Sequence, residues 1–265
     1  MLSQSWRNWV LQNLLKGVDA DRILHTLLEH GFHIDDCKVA LGNNIDQSQV
    51  FAKDIQFYAK LAQPRLLHNL PTWQGEYLEQ NQAQVLQIPH CIDAAKCDEL
   101  IALARVKLRP STITEPSSYS NFRTSTTCDL ALSHSPVVQK LNQHINDCLG
   151  LAIDSGELMQ AQHYALGQQF KAHTDYFEPG TKEFLQYASH HGQRTWTFML
   201  YLNDGCEGGE TEFPELKIKI KPQQGSALIW NNLLPNGRPN PLTLHQSHPI
   251  VSGEKWVITK WFRDQ

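Results

Sequence analysis

From Glu157 to Trp261 the chain is cut into short runs of four to eight residues, and no run is long enough to make a helix of ordinary length. The runs are Leu158–Tyr164, Gln169–Asp175, Thr195–Leu202, Leu216–Ile220, Ala227–Trp230, Leu242–Gln246 and Trp256–Trp261. Turns holding Gly167, Gly208-Gly209, Pro222, Gly225, Gly237 and Gly253 separate them. Many short strands with regular punctuation predict a sandwich or a barrel-like jelly roll. In such a fold residues two apart share one face of a sheet, so any site in this half must be read at a period of two.

The preceding half reads differently. Trp6, Trp9, Val10, Leu14 and Leu15 recur at helical spacing up to Gly17, and Asp19 can cap a second helix whose stripe is Ile23, Leu24, Leu27 and Leu28. A third helix is expected over about Asp36–Leu41 and a fourth over about Asp46–Ala62, the latter carrying Val50, Phe51, Ile55 and Tyr58. Residues 63–84 are polar, Pro-containing and aperiodic, as a linker would be. Val85–Ile88 reads as a strand. Asp93 caps a helix to about Val106, and Ser135-Pro136 opens another that Gly150 ends. Residues 109–122, rich in Ser, Thr and Pro, are expected to form a long loop. The expected class is therefore α+β: a helical N-terminal domain (1–62), a linker (63–84), and a jelly-roll domain with flanking helices (85–265).

Composition narrows the function. A net charge of -4 gives no general case for nucleic acid or an anionic membrane surface. No run approaches the 18 apolar residues of a membrane span, and Asn8, Gln12, Asn13 and Lys16 interrupt any leader-like apolar core. The six cysteines form no C-x-x-C pair and are expected as buried free thiols, so a cytoplasmic protein is the expectation.

His173-Thr-Asp175 ends a strand-like run, which places an imidazole and a carboxylate on one face. With 13 His and 14 Asp among 265 residues, chance supplies about 0.7 such pairs, so the spacing alone decides nothing. A second pair, His33-Ile34-Asp35, falls in the helical head or its turn, where residues two apart diverge, and is set aside. A third ligand could come from His190, His191, His245 or His248. His245 lies in a strand-like run, and Lys255 follows ten residues later. Two histidines and one carboxylate leave open positions on Fe(II), and a buried cation would then hold a dicarboxylate co-substrate.

With these pieces together the chain resembles the prolyl 4-hydroxylase branch of the Fe(II)- and 2-oxoglutarate-dependent dioxygenases. The resemblance covers about residues 85–265 and is strongest over 163–261. It is carried by Tyr164-x8-His173-x-Asp175, the run from Arg194 to Asp204, Gly208-Gly-Glu-Thr-Glu-Phe-Pro214, Lys221-Pro222 with Gly225 and Ala227, Trp230-x-Asn-Leu-Leu-Pro235, and His245-x9-Lys255 followed by Trp261. Arg123-Thr-Ser125 is similar to a further family segment. The resemblance implies a double-stranded β-helix in which His173, Asp175 and His245 bind Fe(II). Lys255 would pair with the distal carboxylate of 2-oxoglutarate, with Tyr201 or Thr211 as nearby donors, and Tyr164 would reach the metal-proximal end. Arg194 and Trp261 would face a peptide substrate.

The expected activity is hydroxylation of prolyl residues in a peptide or protein. It would use O2 and yield succinate and CO2, with ascorbate as reductant. Two sequence features depart from the family: Arg263 stands where some members carry histidine, and the segment Glu178–Gln193 is long. The loops 109–122 and 178–192 are expected as lids. Competing readings are hydroxylation of a small molecule or free amino acid, a catalytically silent metal-binding β-helix, and a zinc hydrolase using Glu210 or Glu212 as base. Neither nucleic acid nor a membrane is expected as a partner, and no oligomeric state is assigned.

Overall fold

The computed structural model describes residues 2–48, 53–111, 122–130, 135–151 and 155–264. The head is built from α1 (Gln4–Leu15), α2 (Ala20–Glu29) and α3 (Ile34–Leu41). Ser3, Asp19 and His33 cap their first turns by accepting from a backbone N–H. The inward stripes close on an apolar cluster of the head's own, with Val10, Ile23, Leu27, Cys37 and Leu41 buried. His33, one of the pair set aside above, is thus a helix cap.

Two expectations about 46–84 are corrected. Helix α4 spans only Ile55–Leu61, because Asp54 caps it there; Val50 and Phe51 lie outside the described residues. The expected linker is built structure: α5 (Arg65–His68), a 3-10 turn at Leu70–Trp73, and β1 (Glu76–Glu79), which pairs with β2 (Val85–Ile88). Its polar sequence is that of an edge strand and its surface, and Leu66 and Leu70 supply the buried anchors.

Beyond β2 come α6 (Ala94–Arg105), β3 (Arg109–Pro110), β4 (Thr126–Asp129) and α7 (Pro136–Leu149). Then follow β5 (Gln160–Tyr164), β6 (Phe170–His173), α8 (Lys182–Tyr187), β7 (Arg194–Tyr201), β8 (Glu207–Gly208), β9 (Thr211–Phe213) and β10 (Ile218–Ile220). The last strands are β11 (Ala227–Asn231), β12 (His245–Ser247), β13 (Ile250–Ser252) and β14 (Lys255–Arg263). Most of the expected loop 109–122 lies outside the described residues, and α8 occupies part of the loop expected over 178–192.

An eight-stranded antiparallel sheet, ordered β1-β2-β11-β7-β14-β5-β4-β3, faces a four-stranded one, ordered β10-β9-β12-β6. This is the expected jelly roll with flanking helices. The inner strands of the large sheet are buried on both faces, which is why β7 and β11 read as largely apolar runs. Along β14, Trp256, Ile258 and Phe262 pack toward the cluster that includes Leu100, Leu141 and Ile145 of α6 and α7. Lys255, Val257, Thr259 and Trp261 face the space between the sheets. Each fully buried side chain of this size stabilises the fold by about 1.5–3 kcal/mol. The alternation therefore holds Lys255 in register with considerable force. Leu242 was expected in a strand with His245; instead Pro241–Thr243 form a 3-10 turn, because Asn240 accepts from Leu242 N–H and Pro241 restricts the backbone.

Candidate metal and co-substrate site

The small sheet carries the histidines. His173 ends β6 and His245 begins β12, and the two are directly paired across the ladder. Each imidazole donates its Nδ1–H to a nearby carbonyl, His173 to Lys171 O at 2.8 Å and His245 to Thr243 O at 3.0 Å. This tautomer leaves both Nε2 lone pairs free to bind a metal. Asp175, two residues beyond β6, brings Oδ1 to 3.8 Å from His173 Nε2 and 4.0 Å from His245 Nε2. Ligand atoms of the three residues all lie within 4.8 Å of one another. It is the one such cluster of three or more His, Cys, Asp or Glu among the described residues.

Neighbours prepare these groups for a cation. Burial, reinforced by His245, lowers the His173 pKa to about 3, so the ring is neutral as a ligand must be. Burial alone would raise Asp175, but His245, His173 and Arg194 outweigh it and keep the carboxyl below its ordinary range. Asp175 Oδ2 also accepts from Thr197 Oγ1 at 2.8 Å. Asn232 Nδ2 donates to that same hydroxyl at 2.8 Å, and Trp230 Nε1 donates to Asn232 Oδ1 at 2.9 Å. Thr197, Asn232 and Trp230 are all buried. This chain of donors fixes which oxygen faces the metal. The phenyl ring of Phe170 stacks on His173 at 3.5 Å between centroids, and Trp230 meets His245 edge-on at 4.8 Å. Trp230 is therefore both core and site wall.

Lys255 comes from the opposite sheet. It is 1% exposed, and its ammonium donates to Gly209 O and Ser247 Oγ, both at 2.7 Å. Burial depresses its pKa to about 7, partly offset by Cys206 and Glu210. Gly209 has φ +69, and a Cβ there would crowd Ile250 and the Lys255 stem, so glycine permits the lysine's close approach. The Tyr164 ring lies 5.1 Å from Nζ and the Tyr201 ring 5.8 Å. Tyr201 donates to Thr211 Oγ1 at 2.8 Å, and Tyr164 donates to Gln162 Oε1 at 2.9 Å. His173, Asp175, His245, Lys255, Tyr164, Thr211 and Trp261 line one pocket, while Tyr201 stands behind Thr211.

Arg194 and Trp261 are adjacent, with the guanidinium 4.2 Å above the indole. The structure places Arg194 in an ion pair: Nε and Nη2 donate to the two oxygens of Glu157 at 2.6 and 2.8 Å. Arg263 donates to the same carboxylate at 3.0 Å, so the residue replacing the family's histidine closes a two-arginine clamp. His190 and His191 are exposed in the loop, and His248 pairs with Glu212 at 2.6 Å. None of the three joins the cluster. On β9 the alternation turns Thr211 inward and Glu212 outward, so Glu212 has no access to act as a base at a metal. Thr197, Asn232 and Ser247 escaped the sequence reading. Thr197 and Asn232 lie inside segments that carry the resemblance but drew no role there, and Ser247 falls one residue beyond the run expected to end at Gln246.

Comparison with known proteins supplies the context. Residues 159–263 match the family model described as the 2OG-Fe(II) oxygenase superfamily. These residues form a domain of that superfamily. Within it the oxygenase domain is prolyl 4-hydroxylase-like. The chain is 28% identical over 191 residues to prolyl 4-hydroxylase subunit alpha-1 of Gallus gallus, covering 71% of this chain and 37% of that protein. It is 32% identical over 192 residues to prolyl 4-hydroxylase 5 of Arabidopsis thaliana, covering 63% and 64%. It thus spans little more than a third of the length of the vertebrate relatives. Among solved structures, a viral collagen prolyl hydroxylase from Paramecium bursaria Chlorella virus-1, in complex with 2OG, matches with a TM-score of 0.54 and 26% identity. That match covers 68% of this chain and 95% of the viral one.

The oxygenase's cofactors fit these residues. Two neutral imidazoles and one ionised, oriented carboxylate are the donor set that suits Fe(II) with open positions. Lys255, buried and served only by neutral oxygens, suits a carboxylate that would complete its neutralisation.

Proposed function

We propose that this chain hydroxylates prolyl residues of a peptide or protein, consuming 2-oxoglutarate and O2 and releasing succinate and CO2. The observation that carries the reading is the pairing, in one buried pocket, of an open three-ligand cluster on the small sheet with a lysine on the large one. Bound Fe(II) and 2-oxoglutarate supply the oxidising chemistry; the chain's residues position and protect it. His173, Asp175 and His245 hold the metal, and the Thr197–Asn232–Trp230 chain fixes Asp175. Lys255 takes the distal carboxylate, Thr211 adds a hydroxyl backed by Tyr201, and Tyr164 walls that end. Apolar side chains such as Met199, Val257 and Trp230 keep water from the reacting centre. Trp261, with Arg194 fixed above it by Glu157, forms the substrate-side wall.

Ascorbate is proposed as the reductant that restores Fe(II) after uncoupled turnover. A cytoplasmic setting is proposed as well, supported by six free thiols, five of them buried. No helix among the described residues is long and apolar enough to cross a membrane. The test is succinate release from 2-oxoglutarate under Fe(II) and ascorbate, with and without proline-containing peptides. Peptide-stimulated turnover with a +16 Da product is expected. Stimulation by free amino acids alone would move the substrate to a small molecule, and absence of any turnover would overturn the mechanism.

A further inference from the structure

The backbone of β7 stops supporting β14 just short of Lys255. The last register pair at that end is Tyr201 opposite Val257, and the last backbone bond runs from Leu202 N–H to Trp256 O at 2.9 Å. Beyond it a side chain takes over the ladder. Asn203 Nδ2 donates to Glu254 O, and Asn203 Oδ1 accepts from Trp256 N–H, both at 2.7 Å. These two backbone groups belong to the peptide units on either side of the Lys255 Cα. One amide thus brackets the lysine's main chain on the edge facing β7, while Tyr164 of β5 pairs with Lys255 on the other edge.

The side chains flanking Lys255 are pinned as well. Glu254 Oε1 accepts from Arg105 Nη2 of α6 at 2.7 Å, and Oε2 accepts from His163 Nε2 of β5 at 2.8 Å. Burial would raise the Glu254 carboxyl, but Arg105, Trp256 and His163 outweigh it and keep it below its ordinary range. Trp256 is buried, with the His163 ring 4.3 Å from its own and the Arg105 guanidinium 5.0 Å above it. The turn ahead of them has no slack. Gly253, at φ +74, lies so near Gly205 O that any Cβ would overlap it.

A lysine's flexible four-carbon stem ordinarily lets its ammonium wander. This one is held at both ends, at Nζ by Gly209 O and Ser247 Oγ and at the main chain by Asn203. Its charge therefore stands at a set distance from the three ligand side chains across the pocket. A dicarboxylate held at the metal and at Lys255 has to match that distance, so its chain length is read by the backbone beneath the lysine. We propose that Asn203 is a positioning residue that sets the co-substrate length the pocket accepts. By holding the main chain of Lys255 it selects the five-carbon 2-oxoglutarate over the six-carbon 2-oxoadipate. This rests on the reading of Lys255 as partner of the distal carboxylate and goes beyond it to the group that places the lysine.

The test needs no turnover. Calorimetry without O2 gives the dissociation constants of 2-oxoglutarate and 2-oxoadipate for the full chain loaded with Fe(II). Asn203→Ala removes both arms of the bracket. It is expected to weaken 2-oxoglutarate about tenfold, leave Fe(II) affinity unchanged, and narrow the preference over 2-oxoadipate by about fivefold. Glu254→Gln keeps the bracketed carbonyl and loses the charge facing Arg105 and His163; it is expected to shift both quantities the same way by about two- to threefold. Leu27→Ala, in the head's own apolar cluster, lowers fold stability without touching the bracket and is expected to leave the preference as in the parent. Asn203→Ala with the parent's 2-oxoglutarate affinity, or with both acids weakened by one common factor, would overturn the assignment of Asn203 and leave the reading of Lys255 intact. Lys255→Met with the parent's 2-oxoglutarate affinity would overturn that reading, and the role of Asn203 with it.

Discussion

The two sheets that enclose the pocket contribute to it in opposite ways. On the small sheet the functional groups are found where the ladder fails: His173 ends β6, Asp175 lies beyond it, and the β6–β12 register shifts between His245 and Ser247. On the large sheet Lys255 starts an uninterrupted ladder, pairing with Tyr164 and continuing regularly to Thr259 opposite Gln160. A metal needs donors converging from several directions, which a regular strand cannot supply because its side chains point only up or down. A single point charge facing a carboxylate needs only one side chain at the right height, and register provides that. In the proposed site, irregular backbone makes the metal end and regular backbone the co-substrate end.

This contrast predicts a graded set of losses. Replacing His173, Asp175 or His245 with alanine should lower turnover by about a thousandfold or more and abolish stoichiometric Fe(II) binding, measured on the purified protein by metal analysis. Metal retention by Asp175→Ala equal to the parent would break the assignment of the small sheet. Lys255→Met should weaken 2-oxoglutarate by about a hundredfold and leave Fe(II) affinity unchanged, measured by calorimetry. Thr197→Val removes the donor to Asp175 Oδ2 and the acceptor of Asn232 Nδ2, and should weaken Fe(II) by about tenfold while lowering fold stability by about 1–3 kcal/mol, which would sharpen the picture of the large sheet as the metal's outer support.

The smallest effect is in protons. Burial holds the Lys255 pKa near 7 when no carboxylate faces it, and a bound dicarboxylate raises it again. Co-substrate binding above about pH 7 should therefore take up close to one proton, and below that pH almost none. Calorimetry in buffers of differing ionisation enthalpy reads this directly. Linkage gives the opposite sign for folding: between about pH 7 and the ordinary lysine range the unfolded chain binds more protons than the folded one, so Lys255 makes stability rise with pH where it makes co-substrate binding weaken. In Lys255→Met the share of the slope that Lys255 contributes disappears.

The large sheet was the more legible part of the chain. β5, β7, β11 and β14 coincide with the expected runs to within a residue or two; in β7 and β11 burial on both faces leaves an apolar signature that needs no partner to be read. β9 and β13, of three residues each, fell below any period that can be counted, although Thr211 was singled out. His173, Asp175, His245 and Lys255 were singled out through the family resemblance, and the structure gathers them into one pocket. Arg194 was expected toward substrate, and its bidentate pairing with Glu157, 37 positions away, had no trace in either local sequence. Thr197 and Asn232 stood in segments that carry the resemblance, but their roles come from a hydrogen-bond chain between β7 and the residue after β11, which sequence does not show. Residues 63–84 read as a linker because an edge strand and a surface share one polar composition.

The position of Lys255 has one more consequence. In the proposed reaction it recognises the far carboxylate of the dicarboxylate, and succinate retains that group unaltered. Under the proposed reaction, co-substrate and product are the same ligand at that end of the pocket, and only the metal end can tell them apart. Product inhibition is therefore built into the lysine's placement, and the working rate of the enzyme should follow the ratio of 2-oxoglutarate to succinate around it.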